Sequence, residues 1–176
     1  MTSGGDPSVL RRALDQLAGL LDDVPSGALA DPTPCPQWSV QALVDHIVAA
    51  PSRFARMARG EAVDWSEAPS VGRDAAAQFR SHAEDLLGAV ADDAAPSGRV
   101  SLDWQCAELA VHTWDLATAL GRPTADLDAE VAERGLAFMR AGLTEDNRGP
   151  AFGPEQPAPD GADPHQRAAA FAGRSV

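Results

Sequence analysis

Hydrophobic positions recur along the chain at the three-to-four-residue spacing of amphipathic helices, and proline- and glycine-rich stretches interrupt them. Leu10, Ala13, Leu14, Leu17, Leu21 and Val24 form one stripe behind Asp6 and Pro7, a capping and first-turn pair, which predicts a helix over roughly 7–23. The proline-crowded PSGALADPTPCPQW that follows reads as an extended link. Ser39 then caps a second helix with Val40, Leu43, Val44, Ile47, Val48, Phe54 and Met57 on its buried face, and Trp38 stands where it can staple onto Leu43. A third stripe of Phe79, Ala83, Leu86, Leu87 and Val90 predicts a helix over roughly 73–91. Ser101 caps a fourth, which Gly121 and Pro123 terminate, and a fifth spans roughly 127–141.

The connections GEAVDWSEAPSVG and DDAAPSGR read as loops, and Trp65 is the one large apolar group of the first. Beyond Gly142 the proline and glycine content predicts irregular structure, with a short helical turn over 165–171. No internal repeat and no run of alternating β-branched residues is present. The fold class is therefore all-α: a four-helix bundle with an additional helix and an irregular C-terminal tail. Residues 1–176 are expected to form a single helical domain, with 142–176 as a tail packed on it. Neither GxGxxG nor GxxxxGK[ST] occurs, so the nucleotide folds lose their usual support.

Composition narrows the function. A chain of 176 residues, 44% hydrophobic and 23% charged, suits one well-buried core. Its formal charge of -12 repels phosphate backbones and anionic headgroups, which disfavours nucleic acid and membrane partners. No apolar run has membrane-spanning length, and the start MTSGGDPSVLRR lacks the apolar core of a signal peptide, so the cytoplasm is the expected location. Cys35 and Cys106 have no CxxC partner, which excludes a thiolate metal cluster and leaves one bridge between them as the sole disulfide option.

Candidate chemistry concentrates in LDWQCAELAVHTWDLATALGRP. Glu108 and His112 stand four residues apart and so share a helix face. They can direct a carboxylate and an imidazole at one point, or form an ordinary exposed ion pair. A third donor must come from His46, His82 or His165. His46 is the best placed, mid-helix among Leu43, Val44, Ile47 and Ala50, whereas His82 lies at a helix edge and His165 in the tail. Three such donors suit zinc first, then nickel or iron, and leave a position for water or substrate. Asp115, one turn beyond His112, is either an acceptor that orients a ligand or a solvated acid. Trp104 shares the Glu108 face and reads as a pocket wall, while Trp38 and Trp114 read as packing groups. Cys106 reads as a buried, inert thiol. Arg53, seven residues after His46, either meets a carboxylate of substrate or thiol or forms an exposed ion pair. Phe152 is placed to tuck the tail onto the bundle.

Three separated segments, PTPCPQWSVQALVDHIVA, AELAVHTWDLATALGRP and FGPEQPAPDGADPHQRAAAFAGR, together resemble the actinobacterial DinB-like metal-binding family related to mycothiol-dependent maleylpyruvate isomerase. The resemblance implies a DinB/YfiT-like four-helix bundle that holds a divalent metal through His46, Glu108 and His112. It also implies mycothiol as a thiol cofactor, and transferase or thiol-assisted isomerase activity on a small electrophilic substrate. On that account neither cysteine has to be the nucleophile. A thiol-independent metal isomerase or hydrolase, or a non-catalytic metal-binding protein, are the alternatives. The chain departs from the family pattern at Gln37, where a glycine is expected, which bears on the turn before the second helix. The isomerase itself carries a further C-terminal domain beyond the length of these 176 residues, so the fold transfers more directly than the reaction. A small-molecule substrate and a monomer or homodimer complete the expectation.

Overall fold

In the computed structural model, which describes residues 6–66, 69–91, 100–149 and 152–176, six α-helices form and the described residues contain no β-strand. Helix α1 (Pro7–Asp22) begins where the Asp6 side chain accepts the Ser8 amide hydrogen. Helix α2 (Val40–Ala58) begins at Ser39, whose hydroxyl accepts from the Ala42 amide. It continues through Pro51, a residue that has no backbone N–H to return to the preceding turn. Helix α3 spans Ala75–Ala91, and α4 (Leu102–Ala119) starts from Ser101, which caps the Trp104 amide. Gly121, with φ +65°, ends α4 in the left-handed conformation that glycine adopts without strain. Helix α5 is Ala129–Gly142, and α6 (Pro164–Phe171) opens with a reciprocal capping box between Asp163 and Gln166.

Helices α1 and α2 occupy opposite corners of the bundle, each packed between α3 and α4. The long α1–α2 connection follows from this arrangement, because it has to cross the end of the bundle diagonally. Helix α5 lies on α4 and α1, and α6 closes over α5 and α4. The predicted stripes of α1, α2 and α3 meet in the interior, where Leu10, Leu14, Leu17, Leu43, Ile47, Phe54, Phe79 and Leu86 are fully buried. Each such side chain contributes about 1.5–3 kcal/mol on leaving water, so these stripes drive assembly.

Helix α4 differs from the others in being enclosed by α1, α2, α5 and α6. From Gln105 to Ala117 every residue except Glu108 is buried, polar Thr113 and Asp115 included. The close α5 approach depends on Gly135, where a Cβ would fall 2.7 Å from the Ala107 Cα. The additional helix is α5. The tail, expected to be irregular with one short turn, carries a full eight-residue helix in α6, stabilised by its caps and by the burial of Ala168, Phe171 and Ala172. Phe152 packs against the core from the same tail. Cys35 and Cys106 are both free thiols, so the one disulfide option is not taken. The predicted loop over 92–99 lies outside the described residues. No helix of the described residues is long and apolar enough to cross a membrane.

Candidate metal centre

Capping of α2 at Ser39 and of α4 at Ser101 sets the register of two neighbouring helices, and three polar side chains meet between them. His46 Nε2 lies 2.6 Å from Glu108 Oε1, and His112 Nε2 lies 3.3 Å from the same oxygen. One donor atom from each of the three residues falls within 4.8 Å of the others. Their side chains are mostly covered, with exposures of 12%, 18% and 11% for His46, Glu108 and His112. Bonds of about 2.0–2.1 Å around a tetrahedral ion place neighbouring donors roughly 3.3–3.4 Å apart. The Glu108–His112 separation already matches, and His46 needs only a small side-chain rotation away from its hydrogen bond. Two imidazole nitrogens and one carboxylate oxygen are therefore a donor set that can hold a divalent first-row ion.

The electrostatics show what the three groups do without an ion. Burial alone would push the Glu108 carboxyl up, but the His112 charge and the hydrogen bonds from both histidines outweigh it and hold it far below the usual carboxylate range. Burial would push His112 down, yet Glu108 and Asp115 raise it to about 9. His46 goes the other way: burial lowers its proton affinity, and the nearby charges of His112 and Arg53 add to the effect. At neutral pH the cluster is thus an imidazolium at His112, a carboxylate at Glu108 and a neutral imidazole at His46, whose Nε2–H donates to Glu108.

Asp115 is fully buried and accepts from His112 Nδ1 at 3.1 Å. Its carboxylate also receives Arg174 Nε at 3.2 Å and Nη2 at 3.0 Å, a two-pronged contact from the segment after α6. Gly173 permits this return: its φ is +96°, and a Cβ there would stand 2.6 Å from Gly153 Cα. The acceptor at His112 is in turn held by the tail, which fixes the ring with Nε2 facing Glu108.

Aromatic rings enclose the cluster. Trp38 lies 4.7 Å from the His46 ring and 5.7 Å from the His112 ring, and Trp65 lies 6.3 Å from His46. Trp104 stands behind them, edge-on to Phe54 at 5.3 Å and 6.2 Å from Trp65. Trp38 keeps its expected packing role against the core and gains a second one. Trp38 covers both histidines, because the Thr33 hydroxyl bonded at the Trp38 carbonyl (2.8 Å) and the Pro32–Ser39 bridge fold the link back over the end of α2. Trp114 is buried in the core as expected. Arg53 makes no exposed ion pair; it is buried with its guanidinium 5.2 Å above Trp65. His82 and His165 stay outside the cluster: His82 Nδ1 donates to the Val48 carbonyl at 2.7 Å, and His165, on α6, faces Gln16 of α1 at 3.3 Å. Gln37 is exposed.

Sequence reasoning passed over Arg174 and Trp65. Trp65 was detectable only as the single large apolar residue of its loop, and Arg174 had no periodic signal, being separated from Asp115 by 59 residues.

A six-helix chain with His, Glu and His converging between α2 and α4 defines a DinB-like helical bundle with an extra helix. The chain belongs to the mycothiol maleylpyruvate isomerase N-terminal domain family, whose model matches residues 10–117. That span includes His46, Glu108, His112 and Asp115 and stops before α5. Two proteins of Mycobacterium tuberculosis, from strains CDC 1551 / Oshkosh and H37Rv and both described as uncharacterized, are each 33% identical to it over 184 residues. The alignments cover 94% of this chain and 96% of theirs. No solved structure matches the chain.

Proposed function

We propose that the protein is a divalent-metal enzyme that uses mycothiol, transferring the thiol to a small electrophilic metabolite or isomerising that metabolite with its help. The observation that carries this reading is the convergence of His46, Glu108 and His112 within 4.8 Å beneath Trp38, in a chain of the mycothiol-related family. His46 and His112 would hold zinc, or nickel or iron in its place, through Nε2, and Glu108 through a carboxylate oxygen. Such an ion supplies a Lewis acid that lowers the pKa of a bound thiol into the neutral range. Asp115 keeps the proton on His112 Nδ1 and so leaves Nε2 free to ligate, while Arg174 holds Asp115 in place. Trp38 and Trp65 limit access of water, with Trp104 as a rear wall. Residues 1–176 act as one unit on this reading, because the tail supports the centre through Arg174.

The test is metal analysis of protein prepared without chelators, followed by conjugation of mycothiol to a reactive electrophile. Wild type is expected to carry one zinc-class ion per chain, and His112→Ala or His46→Ala to lose it together with turnover. Absence of a bound ion, and no response to added zinc or nickel, would sink the reading. Turnover without any thiol would favour a metal isomerase or hydrolase in its place, and bound metal without turnover on any electrophile would favour a non-catalytic metal-binding protein.

A further inference from the structure

Among the described residues, Arg53 is the cationic group near the cluster that has a buried nitrogen without a partner. Arg53 is 6% exposed, and its Nη1 is buried without a hydrogen-bond partner among the described residues. Buried arginines are ordinarily paired, because an unpaired charge in a low-dielectric site costs several kcal/mol. Trp65, 5.2 Å beneath the guanidinium, supplies a cation–π contact and no hydrogen-bond acceptor.

Arg53 also lines an open cavity of about 750 Å³ with Ser52, Arg56, Asp64, Ser66 and His82 among the other lining residues. The remaining charges there are committed. Arg56 is paired with Glu61 at 2.8 Å, and Asp64 accepts both the amide and the hydroxyl of Ser66. His82 has Nδ1 on the Val48 carbonyl. Arg53 thus lines the cavity as a guanidinium with no ion-pair partner among the described residues.

We propose that Arg53 is an anchoring residue for the carboxylate of a small organic acid, which enters through this cavity and presents a distant carbon to the metal centre. The charge count favours a monoanion: one free cation answers a carboxylate, whereas the exposed Asp64 on the same wall opposes a phosphate dianion. Geometry sets the length of the ligand. Arg53 follows His46 by seven residues on α2, a rise of about 10 Å, so the carboxylate sits several bonds from the reacting carbon. Trp65 stands between the two points, its ring 5.2 Å from the Arg53 guanidinium and 6.3 Å from the His46 ring, so a molecule lying along this indole can reach both. The substrate class is then an electrophilic monocarboxylic acid with the acid group at the end away from the reactive site. This deepens the metal-enzyme reading and rests on it for the reacting end alone.

The experiment titrates the metal-free, full-length protein with acetate in chloride-free buffer, following the Arg53 guanidinium and Trp65 indole resonances by NMR. Saturable shifts in the millimolar range are expected with acetate, none with acetamide, and weaker binding with inorganic phosphate. Arg53→Gln is expected to weaken acetate at least tenfold and Arg53→Lys by less. Because removing an unpaired buried charge relieves a penalty, Arg53→Gln is also expected to melt no lower than wild type, which a purely structural arginine would not allow. Should Arg53→Gln fail to fold, the wild-type titration and Arg53→Lys decide. The proposal is overturned if Arg53 shifts no more than the exposed Arg73, if acetamide matches acetate, if phosphate binds more tightly, or if Arg53→Gln binds acetate as well as wild type. A parallel zinc titration separates the two readings: acetate binding without zinc binding removes the metal centre and leaves the anchor, and zinc binding without acetate binding does the reverse.

Discussion

His112 and His165 are buried histidines on helices that pack against each other, and their protons are held in opposite ways. His165, on α6, is fully covered with Nδ1 lacking a partner, and burial pushes it down to about 4. His112 is nearly as covered, but Glu108 and Asp115 flank its two nitrogens and raise it to about 9 against the same burial effect. Burial removes water's stabilisation of the imidazolium in both places, and only an anionic neighbour restores it. The chain therefore keeps one histidine as a neutral packing group and the other as a charged group held between two carboxylates.

Removing the anion should break this contrast most severely. Asp115→Ala leaves Arg174 buried without its partner and His112 without its Nδ1 acceptor, so urea unfolding is expected to show a loss of about 3–5 kcal/mol. Asp115→Asn, which keeps the shape, is expected to fold and to bind zinc about 10–100-fold more weakly in a competition titration. Unchanged stability in the alanine variant would mean that the buried pair does not support the bundle.

The neutral histidine sharpens the comparison on the acid side. Its folded value lies below the ordinary 6.5, so protonation favours the unfolded chain. The stability it contributes is complete above about pH 6.5 and is lost as pH falls towards 4, by about 3 kcal/mol in all. His165→Gln is expected to flatten that part of the stability profile relative to wild type, and parallel profiles would refute it.

The smallest effect per step belongs to His112. Between neutrality and about pH 9 zinc must displace one proton from Nε2, so apparent zinc affinity is expected to rise about tenfold per pH unit and then level off. A flat profile measured by competition with a chelator of known pH dependence would show that His112 is already neutral.

Much of this arrangement can be read directly from the residues. The α1, α2 and α3 stripes follow from leucine, valine and phenylalanine at helical spacing, and the caps at Asp6, Ser39 and Ser101 mark their starts. His46 could be singled out because its neighbours Leu43 and Ile47 belong to the core, and Glu108 and His112 because four residues make one turn. Asp115 was ambiguous for a physical reason: periodicity cannot tell a polar residue facing solvent from one facing a fifth and sixth helix. Trp38 packs against the core as its sequence context suggests, but its cover over the two histidines is not legible there, because the path of a proline-rich link is decided by hydrogen bonds at Thr33 and Ser39 rather than by any repeat. Periodicity leaves Arg53 between two roles because its burial depends on Trp65, which arrives from a loop.

The reach of Arg174 to Asp115 also has a consequence for the order of assembly. Synthesis runs from the N-terminus, so α2 and α4 can pair and bring His46, Glu108 and His112 together while Arg174, 59 residues beyond Asp115, is still to come. Until residue 174 has been added, Asp115 is a carboxylate without its guanidinium, and the ring it orients has only partial support. A nascent chain can thus bring the three side chains together before it can hold them still, and the candidate centre takes its final form as one of the last events in the making of the molecule.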